Sequence, residues 1–187
     1  NNVKIGIVGI GYVGIQLLIQ FCSKNFFTIG FDKDKKKVNK LKKGISPYSY
    51  ISNTNIRPIK LFSSFSSNYE KIKFCDVIII CLPTPIKKNT KPDLSAIETI
   101  IKKIEKYLKK GQLIILESTT YPGCTEEIFI KYLRNKFFID KEIFLSYSPE
   151  RENPGDSQFN FKNTPKVVSG IGNNSLKICD NFYKLIT

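Results

Sequence analysis

Gly9, Gly11 and Gly14 stand as Gly-x-Gly-x-x-Gly within KIGIVGIGYVG, and Asp32 closes the next apolar run at TIGFD. Residues of these types at this spacing can do two pieces of binding chemistry. Gly9 permits a tight turn out of a strand, Gly11 removes the Cβ that would block a pyrophosphate, and Gly14 lets the following helix pack closely on the sheet. Asp32 lies close to the roughly 20-residue offset at which a carboxylate meets the hydroxyls of an adenosine ribose. Such a carboxylate repels a 2′-phosphate, so NAD is favoured over NADP, although Lys33, Lys35, Lys36 and Lys37 crowd the same corner and offset part of the repulsion. Glycines punctuate turns in any protein. Here strand, turn, helix, strand and acid arrive in the required order, and that order carries the dinucleotide reading.

Two further segments place polar groups where strands end. Cys75 to Leu82 (CDVIIICL) is a nearly uninterrupted apolar run, as expected of a central parallel strand covered on both faces, and Pro83-Thr84-Pro85 stops it. Loops at the carboxyl ends of parallel strands hold ligands in α/β proteins, which makes Thr84 a candidate cofactor contact; the plainer alternative is a loop with proline stops. Leu113 to Leu116 is the next buried strand and runs into Glu117-Ser118-Thr119-Thr120. The five cysteines, Cys22, Cys75, Cys81, Cys124 and Cys179, are odd in number and lack the paired spacings of a zinc site, and the chain has no histidine. Core thiols are expected rather than disulfides or metal ligands.

The elements that must hold these groups alternate along the chain. Lys4 to Val8 reads as a strand buried on both faces, Tyr12 to about Lys24 as a helix with Val13, Leu17 and Phe21 at helical spacing, and Phe26 to Phe31 as the second strand. The helix start aims its unpaired N–H groups at the phosphates. Lys33 to Lys43 reads as a charged helix ending at Gly44, Ile45 to Pro58 as a polar loop, and Asp93 to Lys106 as an amphipathic helix with an acidic cap at Asp93. Pro122-Gly123 opens another helix carrying Glu126 and Glu127 in its first turn. Ile143 to Leu145 is a further short strand, and Asn174 to Ile186 a last helix. Strands alternating with helices predict an α/β fold: a Rossmann-like, doubly wound, mainly parallel sheet with helices on both faces.

At 187 residues and 41% hydrophobic content the chain suits one domain, or one with a short extension. No apolar run approaches the roughly 20 residues that span a bilayer, so no membrane segment is expected and the cytoplasm is the default. The formal charge of +14 invites a nucleic-acid reading, but the lysines are spread along the whole chain without arginine-rich stretches or an aromatic RNA-binding signature. A basic surface also suits an anionic sugar nucleotide.

KIGIVGIGYVG, the GFD acid with Lys37 five positions later, CLPTP, LESTTYPG and SPERENPGD follow one another in an order that resembles the amino-terminal NAD-binding domain of the UDP-glucose/GDP-mannose dehydrogenase family. The resemblance covers essentially all 187 residues. It implies two successive hydride transfers from a sugar C6 alcohol to two NAD molecules, through an aldehyde and a cysteine-bound thioester, to a uronic acid. PER followed by PG, with Pro154 where a second glutamate would otherwise align, resembles the branch acting on UDP-N-acetylhexosamines; UDP-N-acetylglucosamine is the expected substrate and UDP-N-acetylmannosamine the nearest competitor. By the same resemblance, Gly9, Gly11, Tyr12, Val13, Gly14, Asp32, Lys37, Pro83, Thr84 and Thr119 bind the cofactor. Glu150 is the base or water activator of thioester hydrolysis, Thr119 also helps to order a water, and Glu150 and Arg151 meet the substrate. For each of these three the alternative is structural: a solvated loop acid, a strand-end cap and a surface cation.

The family continues into a helical middle segment with a catalytic lysine and asparagine, then a second α/β region with the nucleophilic cysteine. Neither matches this chain. Residues 1–187 are therefore expected to be the NAD-binding part of a longer homo-oligomeric enzyme, inactive by themselves. The competing readings are an NAD-binding module without catalysis and a basic nucleic-acid-binding domain.

Overall fold

The computed structural model describes residues 2–87, 91–150 and 165–185. In chain order the elements are β1 (Lys4–Val8), α1 (Tyr12–Ser23), β2 (Phe27–Phe31), α2 (Lys35–Lys42), α3 (Asn53–Ile59), β3 (Ser63–Ser66), β4 (Val77–Ile80), α4 (Ser95–Ile104), β5 (Leu113–Leu116), α5 (Cys124–Leu133), β6 (Phe144–Tyr147), β7 (Ser169–Gly170) and α6 (Asn173–Tyr183). The strands form one sheet in the order β3-β2-β1-β4-β5-β6-β7. Every pairing is parallel except that of β7, which runs antiparallel on β6 through Ser146↔Gly170 and Tyr147↔Ser169. The doubly wound α/β expectation is met, with its reversal of direction between β1 and β4.

The continuous apolar runs fold as they do because both faces of the sheet are covered. In β4 and β5 every side chain is buried, and successive residues enter opposite cores. Val77, Ile79, Leu113 and Ile115 join Ile5 and Ile7 under α1 and α6, whereas Ile78, Ile80, Ile114 and Leu116 pack under α4 and α5. Each such side chain taken from water contributes about 1.5–3 kcal/mol, and neither strand contains a polar residue.

Helix ends follow local chemistry. Asp34 accepts hydrogen bonds from the N–H groups of Lys36 and Lys37 at 2.8 and 3.1 Å and starts α2. Gly44, at φ +75°, follows its end. The helix expected from Asp93 begins at Ser95, with Leu94 at the cap position; Asp93 still serves its first turn by accepting from the Ser95 N–H at 3.0 Å.

Two parts differ from the sequence reading. The stretch read as a polar loop contains α3, seated by the buried Ile56 and Ile59, with Pro58 in its last turn. Burial of two isoleucines there outweighs the poor helix propensity of the surrounding residues. Beyond it, Ser63–Ser66 forms β3, an edge strand that the sequence pattern does not mark, because only Phe65 among its four residues is apolar.

Candidate cofactor-binding and catalytic site

Two adjoining clefts of about 530 and 380 Å³ open along the carboxyl ends of the parallel strands and share Gly11, Cys81, Leu82 and Pro83. The glycine turn forms their common floor. Gly9 has φ +92°, and a Cβ there would lie 2.6 Å from the Cys81 carbonyl oxygen. A Cβ on Gly14 would come within 2.0 Å of the Gly9 carbonyl oxygen, so α1 reaches the turn only without one. A Cβ on Gly11 would meet nothing within 4 Å and would project into open space. As the cap residue of α1, Gly11 supplies no side-chain hydrogen bond, and the first turn holds no acidic residue. The helix start thus offers backbone donors and a positive dipole end to an anion placed in that space.

The larger cleft holds the acid. Asp32 is 7% exposed. Its Oδ2 accepts from the Ile10 N–H at 3.1 Å and from Lys37 Nζ at 2.8 Å, and its Oδ1 accepts from the Asp34 N–H at 2.9 Å. The carboxylate is thus fixed to the glycine turn on one side and to the start of α2 on the other. Burial opposes the charge of Lys37, but the Asp32 carboxylate outweighs it and holds the ammonium above the usual lysine range. Tyr48, which the sequence reading passed over, donates its hydroxyl to the Ile10 carbonyl and packs its ring on that of Tyr50, which in turn meets Tyr12. Its loop position carried no pattern by which it could be found.

The smaller cleft brings together Tyr12, Val13, Thr84, Thr119 and Glu150. Thr84 donates its hydroxyl to the Thr119 carbonyl at 2.6 Å, and the Ser118 hydroxyl accepts from the Leu82 N–H at 3.0 Å. The two strand-end loops are therefore cross-tied, and the Thr84 hydroxyl can meet a ligand only as an acceptor. Arg151 lies outside the described residues.

Behind Glu150 lies a group of residues that the sequence reading did not assign. Glu117, the residue after β5, is buried at 2% exposure and faces Lys166 and Tyr183. Lys166 Nζ donates to Glu117 Oε2 at 2.9 Å and to Glu150 Oε2 at 3.2 Å, and the Tyr183 hydroxyl donates to Glu117 Oε1. Burial pushes the Glu117 carboxyl up to about 7 against the opposing pull of Lys166. Burial likewise opposes the charge of Lys166, but Glu117 and Glu150 together hold it above the usual lysine range.

All five cysteines are free and buried, as expected. Burial raises Cys75 to about 12 and Cys22 and Cys179 to about 11, and it carries Cys81, beside both clefts, well above the ordinary thiol value. Cys124 opens α5, where a helix start would favour a thiolate, yet burial raises it too. Each is a neutral thiol at physiological pH. Among the described residues no cluster of histidine, cysteine or carboxylate side chains could hold a metal ion.

The strand order, glycine turn and fixed carboxylate define a dinucleotide-binding, doubly wound α/β domain. A family model described as "UDP-glucose/GDP-mannose dehydrogenase family, NAD binding domain" matches residues 3–187, and the chain belongs to this family, with NAD as its cofactor. Two curated proteins described as UDP-N-acetyl-D-glucosamine 6-dehydrogenase are each 35% identical over all of the chain: one from Salmonella typhi, one from Pseudomonas aeruginosa. A solved structure of a UDP-N-acetyl-D-mannosamine dehydrogenase from Pyrococcus horikoshii superposes with a TM-score of 0.89 at 24% identity, over 99% of this chain and 45% of that one. This chain spans 44% of the length of each of the two curated relatives. Among the described residues no helix is long and apolar enough to cross a membrane.

Proposed function

We propose that residues 1–187 are the NAD-binding domain of a UDP-N-acetylhexosamine 6-dehydrogenase, whose substrate is UDP-N-acetylglucosamine and whose product is the corresponding uronic acid. The observation that carries this reading is the continuous path from the Asp32–Lys37 pair, over Gly11, to Thr119 and Glu150 along one end of the sheet. The 35% identity to two glucosamine-branch enzymes supports the choice of sugar; UDP-N-acetylmannosamine is the runner-up.

When bound, the cofactor accepts the hydride. The chain's own residues do the rest of the work on this side. Asp32 and Lys37 grip the ribose, the start of α1 and Gly11 receive the diphosphate, and Gly9 and Gly14 hold that turn against the sheet. Tyr12, Val13, Pro83 and Thr84 shape the passage toward Thr119. Thr119 orders a water at the reacting end, and Glu150 takes its proton as base, an assignment that requires a carboxylate within hydrogen-bond reach of the reacting group. Arg151 offers planar donors to the substrate's oxyanions. The covalent and uridine-binding steps belong to the rest of a longer, homo-oligomeric, cytoplasmic protein. By itself this chain binds NAD without completing the oxidation.

Calorimetric titration of the chain with NAD, with NADP as control and an Asp32→Ala variant beside it, tests the cofactor assignment. Saturable NAD binding that weakens at least about ten-fold in the variant is expected from the loss of charge-assisted ribose hydrogen bonds. Equal affinity in both proteins would remove the basis of the residue assignments. NADH formation by the whole protein with each of the two epimeric UDP-sugars tests the substrate.

A further inference from the structure

Lys166 occupies an unusual place for an ammonium group. Its side chain is 9% exposed and lies between the carboxylates of Glu117, wholly buried, and Glu150, 13% exposed. Its Nζ also stands 5.3 Å from the centre of the Tyr183 ring, whose hydroxyl holds the far oxygen of Glu117. One lysine thereby joins the end of β5, the segment after β6 and the last residue of α6. Removing such a charge from water is unfavourable unless good partners replace the solvent, and here two carboxylates and an aromatic face do so.

The two acids are not equivalent. Glu117 is spent inside the protein: Lys166 takes one oxygen and Tyr183 the other. Glu150 lines the smaller cleft beside Thr119 and Gly11 and keeps contact with it. Its backbone is tied as well, since the Glu150 N–H donates to the Glu117 carbonyl at 3.3 Å.

We infer that Lys166 is a positioning residue, anchored on Glu117 and Tyr183, that holds the Glu150 carboxylate in its working direction at the reacting end of the cleft. The inference rests on the proposed role of Glu150 as base and adds the means by which a flexible glutamate keeps one orientation there. A carboxylate tethered by a fixed cation does not spend its time among rotamers that face solvent, and a base works only when held within reach of the proton it takes. The second acid explains why the lysine stays put: Glu117 gives it an anchor that does not depend on Glu150.

The test uses the whole protein that carries this chain, with UDP-N-acetylglucosamine and NAD, comparing wild type with Lys166→Met and Lys166→Arg. The expected result for Lys166→Met is a fall in kcat of about ten- to a hundred-fold, within what a general base contributes, with KM for NAD unchanged within about two-fold. Lys166→Arg keeps a cation between the acids and is expected to recover most of the rate. Because Lys166→Met leaves Glu117 without its cation, the double variant Glu117→Gln/Lys166→Met serves as the folded control: it removes the buried charge yet still lacks the tether, so its kcat falls as in Lys166→Met. A double variant that melts like the wild type and turns over like it would overturn the inference, as would a loss of rate matched by an equal loss of NAD affinity. A wild type inactive on both epimeric UDP-sugars would sink the dehydrogenase reading itself and this inference with it, a result distinct from an active wild type with equally active variants.

Discussion

Replacing Glu117 with glutamine should change how the stability of the domain depends on pH. Burial raises the Glu117 carboxyl from the ordinary 4.5 to about 7. The folded state therefore binds this proton more tightly than the unfolded chain does. The resulting stabilisation is fully present below about 4.5 and is lost as pH rises through about 7. At about 1.4 kcal/mol per pH unit, the loss across that window is about 3 kcal/mol. The chain has no histidine, and Asp34, Glu70, Asp93, Asp140 and Glu142 are held below the usual carboxylate value, so their contributions change only at lower pH. The raised cysteines, tyrosines and lysines start from 9.0 or higher. In Glu117→Gln the amide stands in for the protonated acid, with its oxygen toward Lys166 and its NH₂ toward Tyr183. Urea unfolding of both proteins, without NAD, at intervals from about pH 5 to pH 8 gives the comparison. Wild-type stability should fall by about 3 kcal/mol, while the variant stays nearly level, matches the wild type near pH 5 and exceeds it near pH 8. A wild-type curve that is flat or rising, or a variant with the same slope, would refute the account of the buried acid.

Three further outcomes are expected. Gly9→Ala should destabilise the fold by more than about 1 kcal/mol and abolish NAD binding, because it puts a Cβ at φ +92° and 2.6 Å from the Cys81 carbonyl; thermal melting with and without NAD reads both effects. Gln112→Leu should cost about 2–3 kcal/mol by urea unfolding, since the Gln112 amide donates to the carbonyls of Ile72 and Cys75 at 3.0 and 2.7 Å and accepts from the Lys109 N–H at 2.8 Å; the Ile72 carbonyl keeps the Cys75 N–H, but the Cys75 carbonyl and the Lys109 N–H lose this partner in the variant. A colorimetric thiol reagent at neutral pH should label none of the five cysteines at the rate of an exposed thiol until the protein is unfolded, as expected for neutral, buried sulfur.

Much of the fold was legible because local rules decide it. Four consecutive buried apolar residues in β4, and again in β5, announce strands covered on both faces, and the glycine turn announces the helix that follows. The position of Asp32 beside the glycine turn was legible from its distance along the chain, since β1, α1 and β2 are connected so tightly that spacing in sequence fixes position in space. Where local preference was weak, the reading failed. SSFS became β3 because β2 offered a free edge, and NTNIRPI became a helix because two isoleucines had a core to enter.

The sequence by itself determined the class of domain and the nearness of Asp32 to the glycine turn, all within the first βαβ unit, where neighbours in the chain are neighbours in space. Tertiary structure alone decided the surroundings of Glu150. Lys166 lies 49 residues from Glu117, and Tyr183 lies 66 from it. No periodicity links them. A buried ion pair carries no local signature, because its cost and its compensation both arise only when separate elements close around it and exclude water.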